Sequence, residues 1–290
     1  MLTKIKLFYY LGRFNSPFGY MLLMLPSLWG LTLNLYLSPQ KFSILYIIYL
    51  YAIFAVGSII MRAWGCVIND VFDSNIDAKV GRTKNRPLAS KLLTKSDALI
   101  FLIVLSIIPI IILLSLPNYA KIIALGVLPI VIIYPLSKRF FKIPQLILGL
   151  AFNWGIVLSS AIIFGYINTE SIILYVASIL WTLCYDGIYA YQDYIDDKKL
   201  GLNSIAILMQ ERAKIILGLC YIAMGLLTIF LGLYKNFNEF YYIMQFFAYM
   251  YILINFFKLD YKNTQMCFKF FKQNVYFAII ILLSFGALYV

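Results

Sequence analysis

Histidine is absent from this chain, and charged residues are scarce. Only 12% of its 290 residues are charged and 63% are hydrophobic, whereas an ordinary soluble domain carries about a quarter charged residues. The 4 cysteines are isolated from one another in sequence, so without histidine they supply no zinc-binding pattern. The composition therefore excludes a soluble domain and predicts that lipid surrounds most of the chain.

Acidic residues are half as numerous as basic ones. The sequence has 12 Asp and Glu against 24 Lys and Arg, a net charge of +12. Such an excess can indicate nucleic-acid binding, but here the basic residues lie between apolar runs, where membrane topology accounts for them. We therefore expect a lipid bilayer, and no nucleic acid, as the partner of this chain.

Apolar runs of about 20 residues recur along the sequence, long enough to cross a bilayer core of about 30 Å as helices. Divided at charged residues, Pro, Asn and Gly, they predict nine spans. These spans lie near 18–37, 43–66, 97–116, 119–137, 145–166, 170–190, 211–233, 239–257 and 271–289. The predicted fold is an all-α integral membrane protein in which residues 1–290 form a single domain.

The distribution of basic residues tests this division. Of the 24 Lys and Arg, 21 fall in the N-terminal segment and alternate connections, and 3 fall in the others. Basic residues concentrate on the cytoplasmic side, so we expect a multi-pass protein of the cell inner membrane, with a cytoplasmic N-terminus and a periplasmic C-terminus. The long polar loops 67–96 and 191–210 are then both predicted to be cytoplasmic.

Six of the 12 acidic residues are concentrated in two short segments within these loops. In each segment polar residues recur every fourth position, which places their oxygens on one face of a helix. Crowded carboxylates without histidine or cysteine favour Mg²⁺ shared with substrate phosphates. Asp residues that cap helices and form turns would explain either segment alone. The residues at this spacing are Asn69, Asp73 and Asp77 in the first series and Tyr189, Asp193 and Asp197 in the second.

Basic residues follow both acidic segments and could hold the phosphate oxygens that a metal leaves free. The alternative for several of them is simple anchoring on the positive side of the membrane, and Arg62 could instead form an ion pair with Asp70 or Asp73. The candidates for binding a diphosphate are Arg62, Arg82, Arg86, Lys198 and Lys199.

Several motifs together resemble one family, the UbiA-type aromatic prenyltransferases, and most closely its 4-hydroxybenzoate polyprenyltransferase branch. They are N-D-V-F-D-S-N-I-D, R-T-K-N-R-P-L, Y-P-L-S-K-R and D-G-I-Y-A-Y-Q-D-Y-I-D-D-K-K-L-G-L-N-S, with R-F-N-S-P-F-G at 13–19 and P-Q-L-I-L-G-L-A-F-N-W-G at 144–155. The resemblance covers nearly the whole chain. One departure is Asn15, where many relatives carry Asp.

The resemblance implies nine helices around a central cavity with cytoplasmic cap loops. It also implies Mg²⁺-dependent transfer of a polyprenyl chain from polyprenyl diphosphate to 4-hydroxybenzoate, ortho to the hydroxyl, in ubiquinone biosynthesis. It implies that Asn69, Asp73, Asp193 and Asp197 hold the metal and the diphosphate, with Asp70 and Asp77 as supporting metal residues. Asp73, Asp193 and Asp197 would be catalytic. Tyr134 and Lys138 would lie near the diphosphate, and Arg139 would be a catalytic residue that holds the aromatic acid. Arg13 is a second candidate for binding this acceptor.

Other functions fit parts of the same pattern. Another acceptor, such as a naphthoate, homogentisate or haem, would use the same donor site. An ion-coupled transporter would place its acids at mid-membrane in broken helices and show an internal repeat.

In the prenyltransferase interpretation the donor tail lies between helices and reaches lipid through a side opening, which the sequence does not locate. The length of the tail and the oligomeric state are likewise left open.

Overall fold

The computed structural model describes residues 4–290, which form fourteen α-helices and three short 3-10 turns. The helices are α1 (Lys4–Leu11), α2 (Pro17–Leu37), α3 (Ile44–Asp77), α4 (Lys95–Ser115), α5 (Asn118–Gly126), α6 (Leu128–Ser137), α7 (Pro144–Phe152), α8 (Trp154–Phe164), α9 (Thr169–Tyr189), α10 (Tyr194–Lys199), α11 (Ile205–Met209), α12 (Ala213–Lys235), α13 (Glu239–Phe257) and α14 (Thr264–Gly286). The turns are Ala190–Asp193, Gln210–Arg212 and Ala287–Tyr289.

Nine helical stretches within residues 4–290 are long and apolar enough to cross a membrane, which confirms the predicted number. The most apolar is α4, with a mean hydropathy of 3.1. Its outer residues Ile100 and Ile103 are 61% and 69% exposed, as expected of side chains that face lipid. Helices satisfy their own backbone hydrogen bonds, so they are the form that such a chain adopts in a bilayer.

The predicted loop boundaries are wrong at both acidic segments. Helix α3 continues to Asp77, so the first part of the predicted loop 67–96 is helical. In the predicted loop 191–210 the chain forms a 3-10 turn, then α10 and α11. Charge and the turn preference of Asp and Asn suggested loops, but a helix that protrudes beyond the apolar region tolerates these residues once their charges have partners.

Two of the spans are interrupted within the bundle. The fourth span breaks at Val127, between α5 and α6, where Pro129 has no N–H to donate to Leu125. The fifth span breaks at Asn153, between α7 and α8. The Asn153 amide compensates there by donating to the Gly149 carbonyl at 2.8 Å.

Close packing in the centre of the bundle depends on glycine. A Cβ on Gly155 of α8 would lie 2.1 Å from the Ser27 hydroxyl oxygen of α2, so a larger residue would force these two helices apart. Trp29 of α2 and Trp181 of α9 pack with ring centroids 5.0 Å apart, and both are fully buried.

Candidate active site

A cavity of about 980 Å³ is lined by residues of α2 to α9 and of α14, at the upper end of the usual size for a small-molecule site. It brings together most residues that the sequence predicted as site residues, from segments far apart in the chain. The predicted residues that line it are Arg13, Arg62, Asn69, Asp70, Asp73, Asp77, Arg82, Arg86, Tyr134, Lys138, Arg139, Asp193 and Asp197.

The last turns of α3 form the first acidic wall. Asn69, Asp73 and Asp77 follow one another at intervals of four residues and all line the cavity. Asp70, Asp73 and Asp77 are buried, with exposures of 1%, 5% and 7%. Three buried carboxylates on one helix end are costly unless cations neutralise them, and arginines supply that charge.

Arg13 and Arg86 neutralise the buried pair Asp70 and Asp77. Arg13 Nη2 donates to both oxygens of Asp70, at 2.8 and 2.7 Å. Arg86 Nη1 donates to Asp70 Oδ1 at 3.1 Å and to Asp77 Oδ2 at 2.8 Å. These contacts fasten the turn after α1 and the loop after α3 onto the same helix end.

Arg139 reaches the third carboxylate of this wall from the end of α6. Its Nη2 donates to Asp73 Oδ1 at 3.1 Å and to the Phe72 carbonyl oxygen at 3.0 Å. The Arg139 side chain is 43% exposed, so this contact is the least buried of the three ion-pair arrangements on α3. Asp73 keeps its second oxygen free of ion pairs.

The second acidic wall is formed by the end of α9, the 3-10 turn and α10. Arg82 grips Asp193 through two parallel hydrogen bonds, one of them from Nε to Oδ1 at 2.8 Å. The Arg82 guanidinium also lies 5.4 Å from the centre of the Tyr189 ring. Burial opposes its charge, yet Asp193, Tyr189 and Asp77 keep the pKa of Arg82 above its ordinary value. Arg82 thus ties the loop 78–94 across the cavity.

Two carboxylates in this wall have no basic partner. Among residues 4–290 the ion pairs in the cavity engage Asp70, Asp73, Asp77 and Asp193, while Asp186 and Asp197 also line the cavity and have none. Asp197 is only 5% exposed. A buried carboxylate without a partner is unfavourable, so its position indicates a cationic ligand.

Two basic side chains that line the cavity also lack an ion-pair partner. Lys138 lines the cavity without an ion pair to any described residue, and Arg62 Nε is buried with no hydrogen-bond partner in the described chain. The Arg62 guanidinium instead lies 5.3 Å from the centre of the Phe152 ring. The ion pair of Arg62 with Asp70 or Asp73 that the sequence left open is therefore not formed. Unpaired positive charge inside a cavity indicates an anionic ligand.

The donor atoms fit a hard divalent cation. Carboxylate and amide oxygens project from both walls, and Asp197 is buried without a partner. In residues 4–290 the carboxylates do not converge into a ready-made cluster of three or more metal ligands. That arrangement suits Mg²⁺, which keeps several waters and takes further oxygens from substrate phosphates.

Lys198 and Lys199 do not line the cavity. Both are exposed on α10, and Lys198 instead packs over the Tyr194 ring, 5.9 Å from its centre. The helical turn that directs Asp197 inward directs these next residues outward. Their predicted contact with the diphosphate therefore has no support from the structure.

Several cavity residues were missed as site candidates. Asp186, Tyr185 and Tyr189 all line the cavity; the Tyr185 hydroxyl is buried without a hydrogen-bond partner in the described residues. Phe271 of α14 closes this side, 4.5 Å from the Tyr189 ring centre. Tyr189 belongs to the four-residue series of Asp193 and Asp197 that the sequence analysis noted, and Tyr185 extends this series by one step, which was a signal that could have identified it.

Known proteins have sequences similar to this one along nearly its whole length. Residues 23–282 match the model of the UbiA prenyltransferase family. The 4-hydroxybenzoate octaprenyltransferase of Francisella tularensis is 36% identical over 279 residues, which cover 96% of this chain and 95% of that protein. The mitochondrial 4-hydroxybenzoate polyprenyltransferase of Dictyostelium discoideum is 37% identical and covers 94% of this chain and 59% of that protein.

Solved structures show the same fold at lower identity. The apo structure of a UbiA homolog from Aeropyrum pernix superposes with a TM-score of 0.78 at 21% identity, covering 93% of this chain and 98% of that one. A UbiA homolog from Archaeoglobus fulgidus bound to GPP and Mg²⁺ gives a TM-score of 0.71 at 16% identity, covering 97% and 99%.

Proposed function

This chain belongs to the UbiA prenyltransferase family, and on that premise we propose that it transfers a polyprenyl chain from polyprenyl diphosphate to 4-hydroxybenzoate. The new bond forms at the ring carbon ortho to the hydroxyl, as a step of ubiquinone biosynthesis, and residues 1–290 act as a single domain. The observation that carries the proposal is one cavity with unpaired carboxylates, unpaired cations and an apolar interior. The names of the relatives support the acceptor.

The donor diphosphate binds between the two acidic walls. Oxygens of Asn69, Asp73, Asp193 and Asp197 would hold Mg²⁺, with Asp70 and Asp77 as supporting residues. When bound, the metal neutralises charge on the leaving diphosphate. Lys138 and Arg62 contribute their unpaired positive charge to phosphate oxygens. Arg82 and Arg86 would add theirs once a metal takes the carboxylates that these arginines hold in the ligand-free protein, because their guanidinium groups are then free to bind phosphate oxygens.

Aromatic side chains protect the reacting carbon. Departure of the diphosphate leaves an allylic cation, which water would destroy. Tyr185, Tyr189 and Phe271 line this part of the cavity and present ring faces that stabilise a cation. The electron-rich carbon of the acceptor then forms the new bond, and its ring proton passes to a carboxylate, the released diphosphate or water.

Arg139 is the better of the two candidates for holding the acceptor carboxylate. Its Nη2 alone makes both contacts with α3, so Nη1 and Nε remain available to a carboxylate. Arg13 has both terminal nitrogens engaged, Nη2 by Asp70 and Nη1 by the Tyr10 and Leu11 carbonyls. We therefore propose that Arg13 holds Asp70 in place and does not bind the acceptor.

The proposed setting is the cell inner membrane, with the N-terminus and the cavity entrance cytoplasmic. The 21 to 3 division of basic residues supports this orientation. Reporters fused after Lys95, Lys142, Lys214 and Lys272 should be cytoplasmic, whereas reporters after Gln40, Asn168 and Val290 should be periplasmic. A cytoplasmic C-terminus would contradict the orientation.

The test of function is a direct assay. Purified protein is incubated with Mg²⁺, a radiolabelled polyprenyl diphosphate and a panel of aromatic acids that includes hydroxybenzoate, a hydroxynaphthoate and homogentisate. We expect the prenylated product only with 4-hydroxybenzoate, and none after chelation of the metal with EDTA. Transfer to another acid would replace the proposed acceptor, and full activity in EDTA would refute the metal.

A further inference from the structure

A second cavity, of about 510 Å³, lies between α12 and α13 and is separate from the cavity that holds the acidic walls. On α12 it is lined by Lys214, Gly218 and Ile222, and on α13 by Leu253 and Phe257. No residue that lines this groove also lines the central cavity. The proposed reaction therefore does not account for it.

The groove exists because α12 and α13 are joined only near its two ends. Helix α12 packs chiefly against α9, and α13 packs chiefly against α14. At one end Lys214 Nζ donates to the carbonyl oxygens of Phe257 and Leu259, at 3.1 and 2.9 Å. Toward the other end the Tyr241 hydroxyl donates to the Thr228 carbonyl oxygen at 2.9 Å. Between these contacts the two helices leave an elongated gap.

The gap faces lipid. Its lining residues Ile215, Leu219 and Ile222 are each more than half exposed, and α12 belongs to a stretch that is long and apolar enough to cross a membrane. From Lys214 to Ile222 the groove follows α12 for about 12 Å at 1.5 Å per residue. Since a bilayer core is about 30 Å thick, this length covers most of one leaflet and suits the acyl chain of a lipid.

Basic side chains surround the end of the groove at Lys214. The others lie within two residues of a lining residue, and they are Arg212, Lys258 and Lys262. Within residues 4–290 none of these four forms an ion pair. Glu211 and Asp260 lie in the same two segments, so positive charge remains in excess. An anionic group at this end would therefore be attracted.

This end of the groove lies on the same side of the membrane as the acidic walls. Helix α9 ends at the second wall, and the chain passes through α10 and α11 to the start of α12 without another span. The groove thus belongs to the leaflet next to the acidic walls.

We propose that the groove binds one anionic phospholipid of this leaflet, with an acyl chain between α12 and α13 and its phosphate near Lys214. The apolar lining that opens to the bilayer selects a hydrocarbon chain, and the excess of basic residues selects an anionic head group. Basic pockets between membrane helices bind such head groups. The lipid fills the gap beside α12 and thereby supports α9, which carries Tyr185 and Tyr189. This inference goes beyond the proposed function and does not depend on it.

Photolabelling of the unmodified protein tests the place and the lipid class together. Delipidated protein in detergent is mixed with phosphatidylglycerol that carries a diazirine in its acyl chain, and labelled peptides are identified by mass spectrometry. We expect labels in 213–223 and 253–261, which unlabelled phosphatidylglycerol removes at a lower concentration than phosphatidylethanolamine. Labels spread evenly over the lipid-facing helices, or equal competition by the two lipids, would overturn the proposal.

A substitution inside the groove tests the acyl-chain site. Leu219→Trp adds bulk to the groove at a residue that is 59% exposed, so it disturbs little buried packing. It should lower labelling of the two segments by at least about fivefold. Leu226→Trp is the matched control, because Leu226 lies on the same helix, is 63% exposed and is outside the groove. Equal labelling of both variants would contradict the assignment.

A charge variant tests the head-group site. Lys258→Gln combined with Lys262→Gln should raise the concentration of unlabelled phosphatidylglycerol that halves labelling by at least about fivefold. Lys91→Gln combined with Lys142→Gln removes the same charge from exposed positions outside the groove and should have no effect. If both pairs of substitutions act alike, the basic residues at the groove do not select the lipid. If Leu219→Trp instead alters the oligomeric state in size-exclusion chromatography and leaves labelling unchanged, the groove is an interface between two copies and the proposal is wrong.

Discussion

The two acidic walls share one residue spacing but differ in how their charges are balanced. On α3, each of Asp70, Asp73 and Asp77 has an arginine within ion-pair distance. In the second wall only Asp193 is paired, whereas Asp197 is buried without a partner among residues 4–290. The first wall is therefore largely neutralised by the protein itself, and the second wall needs a ligand to complete its charge balance.

The largest effect is expected from a substitution in the second acidic wall, where Asp197 has no partner. Asp197→Asn removes a charge that no protein group balances, so thermal stability in detergent should be maintained while kcat falls by more than about 100-fold. Asp196→Asn is the control, since Asp196 accepts a hydrogen bond from the Gly81 N–H at 3.1 Å, which an amide oxygen can also do. Equal losses in both variants would contradict a special role for Asp197.

A substitution in the first acidic wall, whose carboxylates are paired with arginines, should lower the stability of the protein. Asp70→Asn leaves Arg13 and Arg86 without their shared counter-charge in a partly buried site. We expect a destabilisation of about 2 to 3 kcal/mol, measured by thermal or denaturant unfolding in detergent. If Asp70→Asn lost activity at full stability, the ion pairs of the first wall would not serve mainly to stabilise the protein, and the two walls would not differ in this respect.

An intermediate effect is expected at Arg139, which contacts the first wall and is proposed to hold the acceptor. Arg139→Lys preserves the charge but cannot offer two parallel N–H groups to a carboxylate. We expect kcat/KM for 4-hydroxybenzoate to fall by about 10- to 100-fold, with little change in the KM for the donor. Weakened donor binding, or unchanged acceptor kinetics, would show that Arg139 serves the first wall only.

The smallest effect concerns the contact that joins the walls. Arg82→Lys retains one cation beside Asp193 but loses the second parallel hydrogen bond. We expect activity to fall by about tenfold or less, and trypsin to cleave the loop 78–94 faster in the ligand-free protein. Unaltered proteolysis would mean that Arg82 does not hold this loop in place.

The sequence predicted the spans, their number and the two acidic segments, because bilayer thickness and helical periodicity act on composition and spacing alone. It did not predict which arginine pairs with which carboxylate. Arg13 and Asp70 are 57 residues apart, and Arg82 and Asp193 are 111 apart, so their pairing depends on how the helices pack. The extension of α3 to Asp77 was missed for the same reason.

Every fourth residue of α3 from Ile53 to Asp77 lines the cavity. The number of residues between any two of them therefore determines whether both face it. Inserting or deleting one residue between Gly57 and Asp73 would rotate the carboxylates by about 100° relative to the apolar lining residues of the first half of α3 and shift them by 1.5 Å. The carboxylates and the apolar lining residues of α3 would then no longer face the same cavity, although every side chain was preserved. Apart from its site residues, this stretch of helix should accept many single substitutions while rejecting any change in length.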